Sequence, residues 1–388
     1  MKKFLLSLIA FVAMTAQAQT SWTGTWAAAA EFTGPSDMPK TTLAGKTVRQ
    51  IIQVSIRGEE LQLMLSNEFG DKPVEIKSVY IADALDSCDI VKKSATYLKF
   101  NGAKNVTIAP GETATSDVIK YKLKIWQRLS INICYGDQVP EHATSHRGSR
   151  TTSYIAQGEV KPGQKFPTIE KVDHWYNIAQ LTVRTDKKAI AVLGNSITDG
   201  RGSTTNLQNR WPDFLAAHVD YGVLNLGIGG NAVVQGGLSQ PALVRFDRDI
   251  LGQKGVEKLI IFEGVNDIGG SRHAEKTTSD LIAAYKTLVD KAHAAGITKV
   301  YGATITPFKG NGYYTPFHET ARQQVNEWIR NSGVFDGVID FDRLVRDPNE
   351  PDKLQQIYSD DWLHLNPEGY RVMGEFAAKV IFDGTFTF

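Results

Sequence analysis

The hydrophobic pattern of this chain changes near residue 186, and that change constrains the fold more than any other feature. Upstream of it, short stretches of alternating apolar and polar residues are separated by turn signals such as Arg57-Gly58 and Pro110-Gly111. The stretches run over residues 48–56, 61–65, 74–81, 118–125 and 129–133. Alternation of this length between turns is typical of an all-β sandwich. We therefore predict an N-terminal β domain, sandwich- or jelly-roll-like, over residues 19–186.

Downstream of residue 186, apolar runs alternate with helix-length segments. Candidate strands lie at 188–193, 222–227, 257–263, 298–305 and 336–341. Candidate helices lie near 209–219, 239–251, 278–295, 316–331 and 367–381, and the last two follow the N-cap residues Thr315 and Asn366. Strands that alternate with helices form a parallel, doubly wound sheet with helices on both faces. We predict an α/β domain over residues 187–388, with the polar segment 184–188 as its boundary.

Residues 1–18 have the three-part pattern of a secretory signal peptide. Lys2 and Lys3 precede an apolar stretch over 4–14, and Ala16-Gln17-Ala18 forms a small-x-small cleavage site. The apolar stretch is too short to span a bilayer. We expect cleavage near Ala18 and export of the mature protein to the periplasm or the exterior.

Composition and charge narrow the classes of partner. The chain has 43 basic and 42 acidic residues, a formal net charge of +1, and no basic block, so nucleic acid is not an expected partner. We expect no membrane span after the signal peptide. Export permits a disulfide between Cys88 and Cys134, but sequence spacing does not distinguish a disulfide from two buried free thiols. No Cys/His group has zinc spacing, and we expect neither a metal nor a cofactor.

Three short segments carry residues that suggest acyl transfer. Ser196 directly follows the apolar run 189–193, Asn266 comes shortly after another such run, and Asp361 precedes His364 by three positions. A serine, an amide donor and an Asp/His pair are the groups that acyl transfer requires.

The predicted topology brings these segments together. Open α/β sheets bind ligands beyond the carboxyl ends of their strands. Ser196, the glycine-rich segment 225–231 and Asn266 each follow or close one predicted strand. They should therefore meet at one edge of the sheet, where the loop that carries His364 can approach them.

At this point the pattern resembles the SGNH (GDSL-type) hydrolases. Four blocks match in order, namely Ser196 in Gly-x-Ser, Gly230 in Ile-Gly-Gly-Asn, Asn266 in Gly-x-Asn-Asp, and Asp361-x-x-His364. Phrases that flank them resemble a branch of secreted two-domain acylhydrolases, some linked with xylan breakdown; these phrases lie at 22–27, 65–70, 209–213, 245–249, 303–308 and 325–330. The resemblance implies a flavodoxin-like three-layer α/β/α domain.

The resemblance also implies a role for each residue. Ser196 would attack an ester carbonyl, His364 would take its proton and pass it to the leaving alcohol, and Asp361 would orient the imidazole. The backbone N–H groups of Ser196 and Gly230 and the side-chain amide of Asn266 would form the oxyanion hole.

The chain departs from the usual family pattern beside the nucleophile. Asn195 stands where the family usually has Asp, and it keeps the size of the side chain but not the charge. We expect altered tuning of the site and the same reaction. Thr198 occupies the last position of a Gly-x-Ser-x-Gly motif, which argues against an α/β-hydrolase fold.

Several nearby residues have both a structural and a functional interpretation. Tyr313, Tyr314 and Trp362 are candidates to stack on a sugar ring, although packing is the favoured role of Trp362 and of Trp211. His146 is interpreted as a structural residue, with lining of the cleft as the alternative.

These observations predict a metal-independent serine esterase that acts on small acyl esters, acetyl above all, of plant polysaccharide or oligosaccharides. The reaction class follows from the residues, whereas the carbohydrate substrate is implied by the resemblance alone. A lipid-directed acylhydrolase of the same fold, such as a lysophospholipase or thioesterase, is one alternative, and a glycan-binding protein is another. The oligomeric state stays open.

Overall fold

The computed structural model describes residues 20–383, so the predicted signal peptide lies outside the described residues. The part before residue 186 consists of strands and short turns. Its strands are β1 (Ser21–Ala27), β2 (Glu31–Thr33), β3 (Lys46–Gln53), β4 (Gly58–Ser66), β5 (Val74–Asp83), β6 (Thr96–Tyr97), β7 (Val106–Ile108), β8 (Thr113–Thr115), β9 (Ile119–Leu123), β10 (Arg128–Tyr135), β11 (Ala143–His146), β12 (Ser153–Gln157), β13 (Thr168–Val172), β14 (Trp175–Tyr176) and β15 (Ile178–Thr185).

Two antiparallel sheets of this region face each other across one core. One sheet has the order β1-β15-β4-β8, and the other has the order β13-β12-β3-β10-β5-β6. In β4 the side chains of Leu61, Leu63 and Leu65 are fully buried, and the residues between them are half-exposed. They pack in one cluster with Val48 and Ile131 of the facing sheet. The predicted β-sandwich is therefore confirmed, because the period of two places one face of each strand in the core.

A third, small sheet connects the sandwich to the rest of the molecule. It has the order β14-β11-β2, with β11 antiparallel to both neighbours. This sheet carries Glu31 and His146 towards the C-terminal domain, where both side chains are buried.

The C-terminal domain is a five-stranded parallel sheet with helices on both faces. Its strands are β16 (Ala189–Gly194), β17 (Gly222–Gly227), β18 (Val256–Phe262), β19 (Lys299–Ala303) and β20 (Gly337–Ile339). Its helices are α1 (Ser196–Asp199), α2 (Trp211–Ala216), α3 (Ala242–Phe246), α4 (Val265–Gly269), α5 (Ala274–Ala294), α6 (Pro316–Asn331), α7 (Phe341–Val345) and α8 (Pro367–Asp383). The strand order β17-β16-β18-β19-β20 is that of a flavodoxin-like sheet, as predicted.

The helices differ from the sequence prediction in detail. Helix α5 begins at Ala274, four residues before the predicted start, because its first turn is polar and lacks an apolar period. The predicted helix over 239–251 consists of α3 and a π-helical turn, Asp247–Leu251. The short helices α1, α4 and α7 were not predicted, since one turn is too short to show a period of 3.6 residues.

The strand order creates a crevice at the carboxyl end of β16. β17 and β18 pair with β16 on opposite sides, so the connections that leave β16 and β18 diverge there. Asn195 caps α1, since its side-chain oxygen accepts a hydrogen bond from Ile197 N–H at 3.0 Å. This cap turns the chain sharply and presents Ser196 at the crevice.

The two domains contact each other directly. Strand β15 ends at Thr185 and β16 begins at Ala189. The backbone N–H of Gly24 donates to the carbonyl of Lys254 over 2.9 Å, and Ser55 Oγ accepts from Val223 N–H at 3.0 Å. Such hydrogen bonds fix the orientation of the β-sandwich relative to the parallel sheet.

Two compositional expectations concern this fold. Cys88 and Cys134 are both free thiols, with Cys134 buried. No helix between residues 20 and 383 has the length and apolar character needed to cross a membrane.

Candidate active site

Ser196, His364 and Asp361 form one chain of hydrogen bonds. Ser196 Oγ lies 2.8 Å from His364 Nε2, and His364 Nδ1 lies 2.7 Å from Asp361 Oδ2. Because one ring nitrogen faces the hydroxyl and the other faces the carboxylate, the imidazole is placed to accept the serine proton. The arrangement is that of a nucleophile, a base and an orienting acid.

The loop between α7 and α8 holds Asp361 and His364 in register. Asp361 Oδ1 accepts hydrogen bonds from the backbone N–H groups of Leu363 at 3.0 Å and His364 at 2.8 Å. Ser359 Oγ donates to the carbonyl of His364 over 2.7 Å. The carboxylate therefore organises the turn with one oxygen and the imidazole with the other.

Burial and charge set the proton affinities of this pair. Burial favours a higher pKa for Asp361, but hydrogen bonds from His364 outweigh it and lower that pKa. Burial lowers the pKa of His364, the carboxylate of Asp361 opposes this, and the positive charges of Arg201 and Arg150 lower it further. At neutral pH the imidazole is therefore in its neutral form, as a general base must be.

Two backbone donors face the cleft beside the serine. Within the described chain no acceptor bonds the backbone N–H of Ser196 or of Gly230, and both residues line the same cleft as His364. Ser196 is the first residue of α1, where a helix leaves its N–H groups unpaired. Gly230 has a φ of +71°, and a Cβ there would lie 2.9 Å from Leu238. These free donors are suited to a developing oxyanion.

Asn266 stands opposite them and is held by two bonds. Its Nδ2 donates to the carbonyl of Asn231 over 2.7 Å, and its Oδ1 accepts from the hydroxyl of Tyr313 at 2.9 Å. An amide nitrogen has two protons, so the second remains for a ligand in the cleft. Tyr313 therefore orients Asn266, a contact that the sequence did not indicate.

The residue before the nucleophile is bonded to a buried acid. Asn195 Nδ2 donates to Glu263 Oε2 over 3.1 Å, and Glu263 Oε1 has no hydrogen-bond partner among the described residues. Burial raises the pKa of Glu263 to about 8, although Arg245, 3.6 Å away, opposes the shift. Because Asn195 is neutral, it adds no second negative charge beside the carboxyl group of Glu263, whose ionisation burial already disfavours.

Arg245 is a fully buried anchor beneath the site. Its guanidinium donates to the carbonyls of Leu226 at 2.8 Å and Gly194 at 3.1 Å, and to Asn231 Oδ1 at 2.9 Å. It also pairs with Asp249 at 3.2 Å. Because Gly194 and Leu226 end neighbouring strands, this one side chain holds the carboxyl ends of β16 and β17 together.

Asp267 supports the loop that carries Gly230. Its carboxylate accepts hydrogen bonds from the backbone N–H groups of Val233 at 2.8 Å and Val234 at 3.0 Å. Burial raises the pKa of Asp267 to about 6, although these bonds favour the ionised form. Its carboxylate therefore holds the loop that follows Gly230.

The β-sandwich contributes one wall of the cleft. Residues from both domains line it, including Glu31, Asp37, Arg147, Arg150 and His174 from the β domain and Ser196, Asp199, Arg201, Gly230, Asn266, Tyr313 and His364 from the α/β domain. The wall carries carboxylates and guanidiniums on both sides. The active-site cleft is therefore an interdomain cleft.

Asp199 is the main link across that cleft. Its Oδ1 lies 2.9 Å from His146 Nε2, and its Oδ2 accepts from Arg150 Nη2 at 2.9 Å. A Cβ at Gly148 would lie 2.0 Å from the same carboxylate. Only a glycine at position 148 allows the β domain to approach so closely.

The other aromatic candidates lie away from the serine. The Tyr314 hydroxyl donates to Asp352 at 2.9 Å, and the Trp362 ring packs on Gly310 and Lys353. Neither side chain is among the described residues that line the cleft, whereas Tyr313 is. Trp211 is fully buried, and its indole packs edge-on against Phe262 and Phe341.

Apart from the alternative role considered for His146, sequence motifs did not indicate the β-domain residues of this site. Glu31, Arg147 and Arg150 are separated from the nucleophile by at least 46 positions and lie in no motif. Asp199 offered one clue, because it is an acidic residue within one turn of Ser196. The structure shows that its carboxylate is buried, and a buried charge needs a partner of opposite charge from elsewhere in the fold.

A comparison with protein families identifies the C-terminal domain. Residues 192–372 match the GDSL-like lipase/acylhydrolase family. The matched range contains Ser196, Gly230, Asn266 and the Asp361/His364 pair. No curated protein matches the sequence.

Several solved structures are similar to about half of this chain. A G-D-S-L family protein of Desulfitobacterium hafniense is 24% identical, covering 50% of this chain and 99% of its own, with a TM-score of 0.40. A carbohydrate acetylesterase of Sinorhizobium meliloti is 16% identical, covering 51% and 99%, with a TM-score of 0.40. An aryl esterase of M. smegmatis is 16% identical, covering 50% and 99%, with a TM-score of 0.40.

Proposed function

We propose that this chain, whose residues 192–372 match the GDSL-like lipase/acylhydrolase family, is an exported serine esterase that removes small acyl groups, chiefly acetyl, from polysaccharide or oligosaccharide esters. The observation that carries the proposal is the 2.8 Å contact between Ser196 Oγ and His364 Nε2, with Asp361 2.7 Å from the other ring nitrogen.

The geometry supports a two-step mechanism. Ser196 Oγ attacks the ester carbonyl while His364 takes its proton, and the carbonyl oxygen becomes an oxyanion held by the N–H groups of Ser196 and Gly230 and by the Asn266 amide. His364 then protonates the leaving alcohol, and an acyl-serine remains. Water, deprotonated by His364, attacks this acyl group and releases the acid, which restores the serine.

The polar lining of the cleft supports a hydrophilic substrate. Three arginines and three carboxylates line the cleft together with the serine, and apolar side chains such as Leu238 and Leu363 lie among them. A long acyl chain would have to lie against charged groups and would lose the benefit of apolar burial. This favours a small acyl group on a polar alcohol over a lipid. The carbohydrate itself is suggested by the resemblance of the flanking phrases to the xylan-linked branch.

The first experiment measures acetate release by the purified mature protein. Acetylated xylan, acetylated pectin and sugar acetates are offered alongside p-nitrophenyl acetate and p-nitrophenyl decanoate. We expect turnover of acetyl esters, a preference for acetate over decanoate, and a loss of at least about 1000-fold in Ser196→Ala. A preference for chains beyond about eight carbons would support the lipid-directed alternative, in line with burial energies per CH₂. Glycan binding without any ester hydrolysis would refute the proposal.

The export part of the proposal has its own experiment. The full chain is expressed in a Gram-negative host, and the intact mass of the protein in the periplasmic fraction and medium is measured. We expect a mature N-terminus at Gln19. Retention of residues 1–18 in a cytoplasmic protein would contradict export without bearing on the esterase activity.

A further inference from the structure

An unpaired arginine stands at the rim of the catalytic cleft. Arg201 follows helix α1, and its backbone N–H donates to the carbonyl of Ser196 over 2.9 Å. Its side chain is exposed and lines the same cleft as Ser196 and His364. Over residues 20–383 its guanidinium forms no ion pair or hydrogen bond with the protein. The guanidinium of Arg201 is therefore a positive charge in the cleft that has no ion-pair partner among the described residues.

The carboxylates of the cleft are already engaged elsewhere. Glu31 pairs with Arg147 at 2.7 Å, and Asp37 lies 3.5 Å from the same guanidinium. Asp199 is bonded by His146 and Arg150. None of the described carboxylates that line the cleft is thus left over to neutralise Arg201.

Arg150 adds a second unused donor. Its Nη2 is bonded to Asp199, but its Nε is buried and has no partner among the described residues. A buried N–H without an acceptor costs free energy, so the protein itself does not fully satisfy the guanidinium of Arg150. Arg150 and Arg201 both line this cleft, and the charges of both reach the imidazole of His364.

The position of Arg201 in the chain indicates that it lies on the side of the cleft that receives the alcohol part of the ester. A Cβ at the adjacent Gly202 would lie 3.7 Å from His364 Cβ and 2.3 Å from the Leu365 carbonyl, so this segment packs on the loop of the base. His364 delivers the proton to the leaving alcohol. The oxyanion donors at Gly230 and Asn266 come from other loops. A charge beside His364 therefore lies beside the leaving alcohol.

We propose that this cleft selects esters whose alcohol part carries a carboxylate, a uronic acid residue in the case of a sugar, and that Arg201 binds this carboxylate, with the guanidinium of Arg150 as a second positive charge in the same cleft. A planar guanidinium is well matched to a carboxylate. The inference rests on the proposed esterase function, and it names the class of sugar on which that function acts.

The test compares two substrates that differ only in charge. Mono-O-acetylated methyl galacturonoside carries a carboxylate where mono-O-acetylated methyl galactoside has a neutral hydroxymethyl group. At neutral pH and low salt we expect the wild-type kcat/KM to be about tenfold higher for the acidic sugar. The preference should shrink as salt screens the contact.

Substitution then assigns the preference to a residue. Arg201→Gln should reduce the ratio of the two kcat/KM values to about one, and Arg201→Lys should retain part of it because the charge remains. Arg57 is an exposed arginine of the β domain that lines a different cavity, so Arg57→Gln serves as the matched control and should keep the wild-type ratio.

The outcomes separate this inference from the proposed function. Equal turnover of both sugars by the wild type, or a preference that survives Arg201→Gln, would overturn it. If p-nitrophenyl acetate is hydrolysed and the neutral sugar is preferred, the carboxylate subsite is wrong and the esterase stands. If no ester is hydrolysed at all, the proposed function itself fails. The wild-type ratio and its salt dependence decide the matter even where a variant folds poorly.

Discussion

Asn195 Nδ2 donates a hydrogen bond to Glu263 Oε2 over 3.1 Å, directly behind the nucleophile. Asn195 is the residue at which the chain departs from the usual family pattern, and its partner is a fully buried carboxyl. Asn in place of the usual Asp at position 195 is thus matched by a nearby carboxyl group, Glu263, to which the amide can donate. An aspartate at position 195 would place two carboxyl groups within one hydrogen bond of each other, where they could not both ionise.

We therefore expect Asn195→Asp to destabilise the protein, by about 1–3 kcal/mol at mildly alkaline pH. The folded-state pKa of Glu263, about 8, lies above its ordinary value, so the folded form binds the extra proton and stability falls as pH rises towards 8. In Asn195→Asp, the added carboxylate extends the loss of stability to higher pH. The free energy of unfolding, measured by chemical denaturation between pH 6 and 9, tests this. The double variant Asn195→Asp/Glu263→Gln should regain stability, because the Gln amide can donate to the new carboxylate; no recovery would show that the two residues are not coupled.

Asp361→Asn should lower kcat by about 100-fold or more, and by less than Ser196→Ala. The amide cannot stabilise the imidazolium and favours the wrong tautomer of His364. Hydrolysis of p-nitrophenyl acetate gives the rates. Asp360 is the exposed neighbour of Asp361, so Asp360→Asn is the matched control and should retain wild-type activity. Equal losses in the two variants would argue against the hydrogen bond at 2.7 Å as the cause.

The dependence of kcat/KM on pH should reflect the ionisation of His364. Burial lowers the pKa of His364, with help from the charges of Arg201 and Arg150, so the acidic limb of kcat/KM should have its midpoint below the ordinary histidine value of about 6.5. Activity should be constant through neutral pH. Removing a nearby positive charge makes the imidazolium easier to form. Arg201→Gln should therefore move the acidic limb to higher pH, and a shift to lower pH would contradict the assigned electrostatics.

His146→Gln should weaken the link between the domains in a pH-dependent way. Burial opposes protonation of His146, but Asp199 at 2.9 Å and Glu31 outweigh it and raise the pKa of its imidazole. A raised folded-state pKa gives stabilisation that is complete below the unfolded value and is lost as pH rises through the folded value. The difference in melting temperature between wild type and variant should thus be largest at acidic pH. A difference that grows with pH would refute this account.

Tyr313→Phe should lower kcat by about tenfold and change KM little, because the hydroxyl acts through Asn266 and not on the substrate. Steady-state kinetics on p-nitrophenyl acetate separate the two constants. Tyr314→Phe is the matched control, since its hydroxyl bonds Asp352 outside the cleft. A change confined to KM would instead indicate that Tyr313 contacts the ester directly.

The periodicity of the chain was sufficient to predict both architectures. The period of two in residues such as Leu61, Leu63 and Leu65 places one strand face in a sandwich core. The apolar run that became β16 is buried along its whole length, as a central parallel strand must be. One-turn elements such as α1 and α4 stayed hidden, since their geometry depends on caps and loop contacts and not on a repeating pattern.

The residue types in four short blocks were sufficient to predict Ser196, His364 and Asp361 as candidate catalytic residues. Each block is recognisable by itself because its characteristic residues lie within a few positions of one another. The sequence by itself did not reveal that Arg150 and Glu31 of the β domain form a wall of the same cleft. It also did not reveal that Tyr313 orients Asn266, or that Glu263 receives the Asn195 amide. These relations join positions far apart in the chain. Only the packing of two domains decides which charges find partners and which, like Arg201, remain free for a ligand.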